Sequence, residues 1–209
     1  DCPPWQLSAK EIKHNKKKKI ISYKSAWLKI YDTPVFYFPK FFHPDPTVKR
    51  QSGFLMPSFM DSTNLGSSFQ LPYYHAISDN KDFTVYPRLY ADKKLLLQSE
   101  FRQKGSDSSF VMDGSFINEN NTSDKSHFFI NASRDLDFDF FDETELDLRL
   151  EQVSNDSYLK TYKLKSPIIT DFSSLKSSVG IDANKENLQL SLDFEVYENL
   201  SKKESDRYE

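Results

Sequence analysis

Residues 31–74 read YDTPVFYFPKFFHPDPTVKRQSGFLMPSFMDSTNLGSSFQLPYY and crowd aromatic side chains against prolines as no ordinary soluble core does. Proline has no N–H to give to a β-ladder, so the stretch reads as irregular and proline-punctuated. It turns at Lys49-Arg50-Gln51-Ser52-Gly53 and then opens into alternating segments. Nine of the ten prolines lie at or before Pro87, and only Pro167 follows. That asymmetry divides the chain into a broken first third and a remainder free to form long paired strands.

On the N-terminal side, residues 5–12 alternate, with Trp5, Leu7 and Ala9 on one face. The polar run HNKKKK follows, and IISYKSAWLKIY reads as the returning strand. Lys16 to Lys19 are expected in a solvated hairpin turn, where charge blocks usually sit, with contact to anionic headgroups as the alternative.

On the C-terminal side the period is two almost throughout after Ser67. Leu146, Leu148 and Leu150 oppose Glu145, Asp147, Arg149 and Glu151, and Leu188, Leu190, Leu192, Phe194 and Val196 oppose Gln189, Ser191, Asp193 and Glu195. Between polar turns, about eight or nine strands of about ten residues fit, the length that crosses a bilayer when tilted. The opposing face carries full charges, which a membrane tolerates only toward a wet lumen. A soluble sandwich would also turn that face to water. Alternation fits both, and so does a composition of 37% apolar and 15% aromatic residues.

The net charge of −3 gives nothing that argues for nucleic acid. A single cysteine, Cys2, makes neither an internal disulfide nor a cysteine-based zinc site. No run of about 18 apolar residues exists to form a membrane helix. With no initiator Met, no signal peptide and a polar end at Tyr208-Glu209, the chain reads as an internal fragment. His14, His43, His75 and His127 show no helical metal spacing. Ser126 and His127 are neighbours on a strand and point to opposite faces, so they cannot act as a pair. Asp135, Asp137 and Asp139 share a face but lack the glycine-containing loop of a calcium motif, and read as solvated. No catalytic residue, metal or cofactor is assigned.

Pro72 and Pro87 are the sharper signal. Each falls inside an otherwise plausible strand, FQLPYY and FTVYPRLY, where it deletes a ladder bond worth about 1 kcal/mol net.

The segments PVFYFP, FHPDPTVKRQSGFL and LGSSFQLPYY resemble the LPS-assembly outer-membrane protein family LptD, also called the organic solvent tolerance proteins. The resemblance covers about residues 5–103 and is strongest at 34–57 and 65–88. It implies an all-β chain: residues 1–48 as the end of a periplasmic β-jellyroll, and 49–209 as a linker and the first antiparallel strands of a large transmembrane β-barrel. It further implies non-enzymatic delivery of lipopolysaccharide to the outer leaflet of the outer membrane, with the N-terminal part in the periplasm. In that family prolines placed like Pro72 and Pro87 weaken the junction of first and last barrel strands, a lateral gate. Trp5, Leu7, Tyr23, Trp27, Ile30 and Tyr37 become candidates for the lipid groove, although a self-packed jellyroll would use them as core. A cysteine near Cys2 pairs in the family with one far along the chain. The implied partners are lipopolysaccharide, a lipoprotein plug (LptE-like) and a periplasmic bridge protein (LptA-like). The rival readings are a generic outer-membrane porin or barrel enzyme, and a soluble carbohydrate-binding β-sandwich.

Overall fold

The computed structural model describes residues 5–48, 50–118, 124–169, 171–203 and 206–208, so Cys2 lies outside the described residues. The chain divides after Gln51 into two compact units, three residues beyond the boundary expected from the sequence.

The first unit is an antiparallel sheet of β1 (Trp5–Asn15), β2 (Ile20–Ile30) and β3 (Thr33–Pro44). Lys16 to Lys19 form the exposed turn between β1 and β2. Tyr31 and Asp32 both take positive φ, 45° and 65°, the backbone that closes a two-residue hairpin in step with strand twist. β3 contradicts the expectation of an irregular segment, because it runs for 12 residues through Pro34 and Pro39. Among the described residues it pairs only with β2. An edge strand tolerates proline because its outer N–H groups have no ladder to serve. Beyond β3, Asp45 accepts hydrogen bonds from the Thr47 N–H at 2.8 Å and the Thr47 hydroxyl at 2.7 Å. These donors, first the Thr47 N–H, hold its carboxyl below the usual range, and His14 adds to the effect.

The second unit is a sequential meander. It contains β4 (Gly53–Phe54), β5 (Ser58–Met60), β6 (Ser68–Gln70), β7 (Tyr73–Ser78), β8 (Lys81–Tyr90), β9 (Leu95–Lys104), β10 (Ser108–Ile117), β11 (Lys125–Asp135), β12 (Glu143–Val153), α1 (Tyr158–Thr161), β13 (Ser174–Lys185) and β14 (Leu188–Asn199). Each strand from β8 to β14 pairs antiparallel with the next. β6 and β7 lie end to end beside β8, and β5 and β4 lie outside them. The sheet is open, with no closed barrel among the described residues. No described helix is long and apolar enough to cross a membrane, which leaves strand-crossing untouched.

The two faces of this sheet are exchanged relative to a water-soluble protein. Leu148, Val179 and Phe194 are cross-strand partners on one face and are 44%, 42% and 66% exposed. Leu97, Phe116, Leu150 and Leu192 are exposed with them. On the other face Asp82, Asp113, His127 and Glu151 are buried. A sandwich would bury the first set and wet the second, which is the reverse of what this sheet does.

The polar face is covered at one end by residues 154–169, which fold back as a strap. Tyr158, Leu159, Tyr162, Leu164 and Ile169 pack on Tyr90, Leu96, Ile117 and Phe129 from β8 to β11. This cluster is the hydrophobic core of the second unit, and nothing in the strand periodicity announced it.

Substituting Leu192→Arg on the open face is expected to cost about 2–4 kcal/mol in denaturant unfolding from a bilayer, if the site lies near the midplane. Ser191→Arg, one residue away on the polar face, should change stability by less than about 1 kcal/mol. Equal effects of the two would contradict a lipid-facing surface.

Candidate functional site

The candidate site is the interrupted ladder around strand 68–78. The pairs Gln70–Arg88 and Tyr73–Val85 share one register, which sets Leu71 opposite Pro87 and Pro72 opposite Tyr86. Pro87 lies within β8, whereas Pro72 falls in the break between β6 and β7 rather than inside a strand. The Leu71 N–H donates to the Pro87 carbonyl at 3.3 Å, but Pro87 has no N–H to return. On the opposite side, the Leu55 N–H donates to the Pro72 carbonyl at 2.9 Å, and Pro72 again has none to return. Strand 68–78 is therefore short of one bond on each side. A third proline, Pro57, sits in the break between β4 and β5, where the register slips by one residue. The sequence showed each proline; only the register showed that the two missing bonds lie on opposite sides of the same stretch.

Behind this break the polar face encloses a cavity of about 460 Å³, lined by Gln70, Pro72, Tyr86 and Arg88 from the sheet and roofed by Lys163, Lys165 and Pro167 of the strap. The strap is held there by side chains donating to its carbonyls. Arg88 Nη1 donates to the Tyr162 carbonyl at 2.6 Å, Gln98 Nε2 to that of Lys165 at 2.6 Å, and Arg149 Nη2 to that of Ile168 at 3.2 Å.

Deeper under the strap, His127 finds partners that sequence reasoning missed. Ser115, its cross-strand partner, bonds His127 Nδ1 at 2.7 Å, and Asp113 lies 3.2 Å from Nε2. The Tyr158 hydroxyl closes the chain on Ser115 Oγ at 2.7 Å. Ser126, the sequence neighbour, takes no part in it. The types are those of a nucleophilic triad, but Ser115 is 6% exposed and capped by Tyr158, so no substrate reaches it. The arrangement anchors the strap. Burial pushes the Tyr158 hydroxyl up to about 12, partly offset by its bond to Ser115.

The groove candidates of the first unit do not share a face. Ser25 takes φ 51° inside β2 and breaks the alternation: ring contacts run from Tyr23 to Phe41, Phe38 and Phe36, which puts Tyr23 with Leu7 and Ile30 on one side and leaves Trp27 and Tyr37 on the other. Trp27 and Tyr37 pack with ring centres 4.8 Å apart. The unit carries a separate groove of about 240 Å³ lined by Tyr23, Phe41, Phe42, Lys13, Lys24 and Lys40, which includes only Tyr23 of the six. Asp135 ends β11, while Asp137 and Asp139 lie in the loop before β12. They form no cluster fit for a metal ion among the described residues.

Comparison with known proteins gives one consistent result. Residues 21–108 match the family model described as LptD protein. The LPS-assembly protein LptD of Pseudomonas putida F1 is 36% identical over 124 residues, which is 57% of this chain and 13% of that protein. Its counterpart in Pseudomonas aeruginosa UCBPP-PA14 is 34% identical over 122 residues, 56% of this chain and 13% of that protein. The chain thus spans about 13% of the length of the curated relatives it matches. The resemblance carried by 34–57 and 65–88 is shown, and both segments lie within the matched region.

Because the folded phenol of Tyr158 titrates above its ordinary value of about 10, its contribution is complete below pH 10 and is lost as pH rises through about 12. Near-ultraviolet circular dichroism should report loosening of the strap across that window. Tyr158→Phe should remove one late step from the tyrosinate titration and cost about 1 kcal/mol.

Proposed function

We propose that this chain is part of an LptD-type outer-membrane protein and forms the start of its lipopolysaccharide exit. In this reading the second unit supplies the first strands of a transmembrane barrel, its open apolar face toward lipid and its polar face toward the lumen. The single observation that carries the reading is a strand, 68–78, lacking one ladder bond on either side within a sheet whose apolar face stays open. Such a strand is the part of the sheet that separates first. Each missing bond removes about 1 kcal/mol of cohesion, and more where a carbonyl is left bare in hydrocarbon.

The first unit would be the end of a periplasmic β-jellyroll that delivers the lipid. Trp27, Phe36 and Phe42 are exposed on its sheet and offer apolar surface at roughly 25 cal/mol per Å² for acyl chains. Cys2 would be available to a distant cysteine of the full-length protein in the oxidising periplasm. A lipoprotein plug and a periplasmic bridge protein complete the proposed assembly. Ser115, His127 and Asp113 form a structural anchor, so the role is transport and not catalysis. The exchanged faces argue against a carbohydrate-binding sandwich, and the prolines around one strand argue against a generic porin.

Pro72→Ala and Pro87→Ala each restore an N–H, toward the Leu55 and Leu71 carbonyls respectively. In the full-length protein in proteoliposomes, the double variant should release lipopolysaccharide up to about thirtyfold more slowly, from two bonds of about 1 kcal/mol each. Unchanged release kinetics would remove the gate assignment.

A further inference from the structure

The cavity behind the interrupted ladder holds a charge that the protein itself does not neutralise. Arg88 is 4% exposed, and its hydrogen-bond partners are all neutral. Nε and Nη2 donate to Gln70 Oε1 at 3.1 and 3.0 Å, and Nη1 donates to the Tyr162 carbonyl at 2.6 Å and the Tyr90 hydroxyl at 3.5 Å. A buried guanidinium without a carboxylate is costly, because neutral dipoles replace only part of the water it loses. Elsewhere on this face the arginines have acids: Arg102 pairs with Asp82 at 2.8 Å and Arg149 with Glu151 at 2.5 Å. Arg88 is the exception among these three, and it lines the cavity.

Two more cations face the same space from above. Lys163 and Lys165 line the cavity from the strap, and both residues are exposed. Lys163 adopts φ 47°, a left-handed backbone that an ordinary side chain takes only when its surroundings impose it. The acid in the lining, Glu100, is engaged by Arg102 at 3.2 Å. The cavity thus presents three cations against one carboxylate that already has a partner.

The geometry points to a binding site for a phosphate group on an amphiphile, with Arg88 at its floor and Lys163 and Lys165 at its rim. Planar guanidinium and flexible ammonium groups together suit a tetrahedral oxyanion. The volume of about 460 Å³ takes a phosphorylated sugar and not a whole lipid. Met60 and Pro72 in the lining continue the space toward the break, so acyl chains attached to that headgroup would emerge through the ladder to the open apolar face. This assignment rests on the lipid-exit reading and adds to it a headgroup site on the polar side of the exit.

The test uses the full-length protein in detergent, titrated with fluorescent lipopolysaccharide and with the same lipid after enzymatic removal of its phosphates. The phosphorylated form should bind about tenfold more tightly. The double variant Lys163→Ala/Lys165→Ala should shrink that preference several-fold while leaving the dephosphorylated lipid's affinity unchanged. Arg88→Gln should do the same, and should it fail to fold, the lysine pair carries the test alone. Equal affinity for the two lipids, or a preference untouched by the lysine pair, overturns the site. Competition by inorganic phosphate at the concentration that suffices for the phosphorylated lipid would make it a free-anion site and overturn the amphiphile. Equilibrium binding does not depend on how fast the seam opens, so slow release with Pro72→Ala/Pro87→Ala and lost headgroup preference are read separately.

Discussion

Everything in the second unit follows from one constraint: the sheet turns its greasy face outward and its charged face inward. Phe194 and Leu192 are left open while Asp82, Asp113 and Glu151 are packed away. In water this would forfeit the hydrophobic driving force; against hydrocarbon it is the favourable arrangement. The cost moves to the inner face, where each buried charge needs a partner. Glu151 shows how this is met: it takes Arg149 on one oxygen and the Lys176 N–H at 2.7 Å on the other. Asp113 is bracketed by Gln98 Nε2 at 3.0 Å and His127.

The strap is the second consequence. A wet inner face offers little apolar surface, yet β8 to β11 place Tyr90, Leu96, Ile117 and Phe129 together at one end. Residues 154–169 supply the matching aromatic and aliphatic groups, and their carbonyls meet Arg88, Gln98 and Arg149. Arg88 joins the two themes, since it fixes the strap, sits beside the weakened strand and still carries a charge without an acid. The proposed site thus lies where polar satisfaction is least complete.

Strand 68–78 differs from its neighbours in kind. From β8 to β14 the ladders run nine to twelve registered positions wherever both strands are long, apart from the seven of β12 and β13. On the other side of β8 the pairing is interrupted at the prolines, and the outer strand is reduced to β4 and β5. A sheet with one poorly stitched margin opens there, because breaking few bonds costs less than breaking a full ladder. In the proposed reading that margin is the lipid exit, and the cavity behind it holds the headgroup.

The sequence by itself determined the all-β character, the period-two strands from β8 onward, the polar turns and the two prolines that cannot donate. These are local properties: side-chain alternation and the missing imide N–H act wherever the residue stands. It misjudged 33–44 as irregular, because proline is penalised by ladder position, and an edge is not visible along one chain. It separated Ser126 from His127 correctly but could not supply Ser115 and Asp113, since cross-strand partners depend on register. Only the tertiary structure decided which face is open, that the bonds missing at Pro72 and Pro87 lie on either side of one stretch, and that residues 154–169 fold back over a cavity holding Arg88. The physical reason is that burial and pairing belong to contacts between distant segments, and a period of two states the alternation without saying which side meets water.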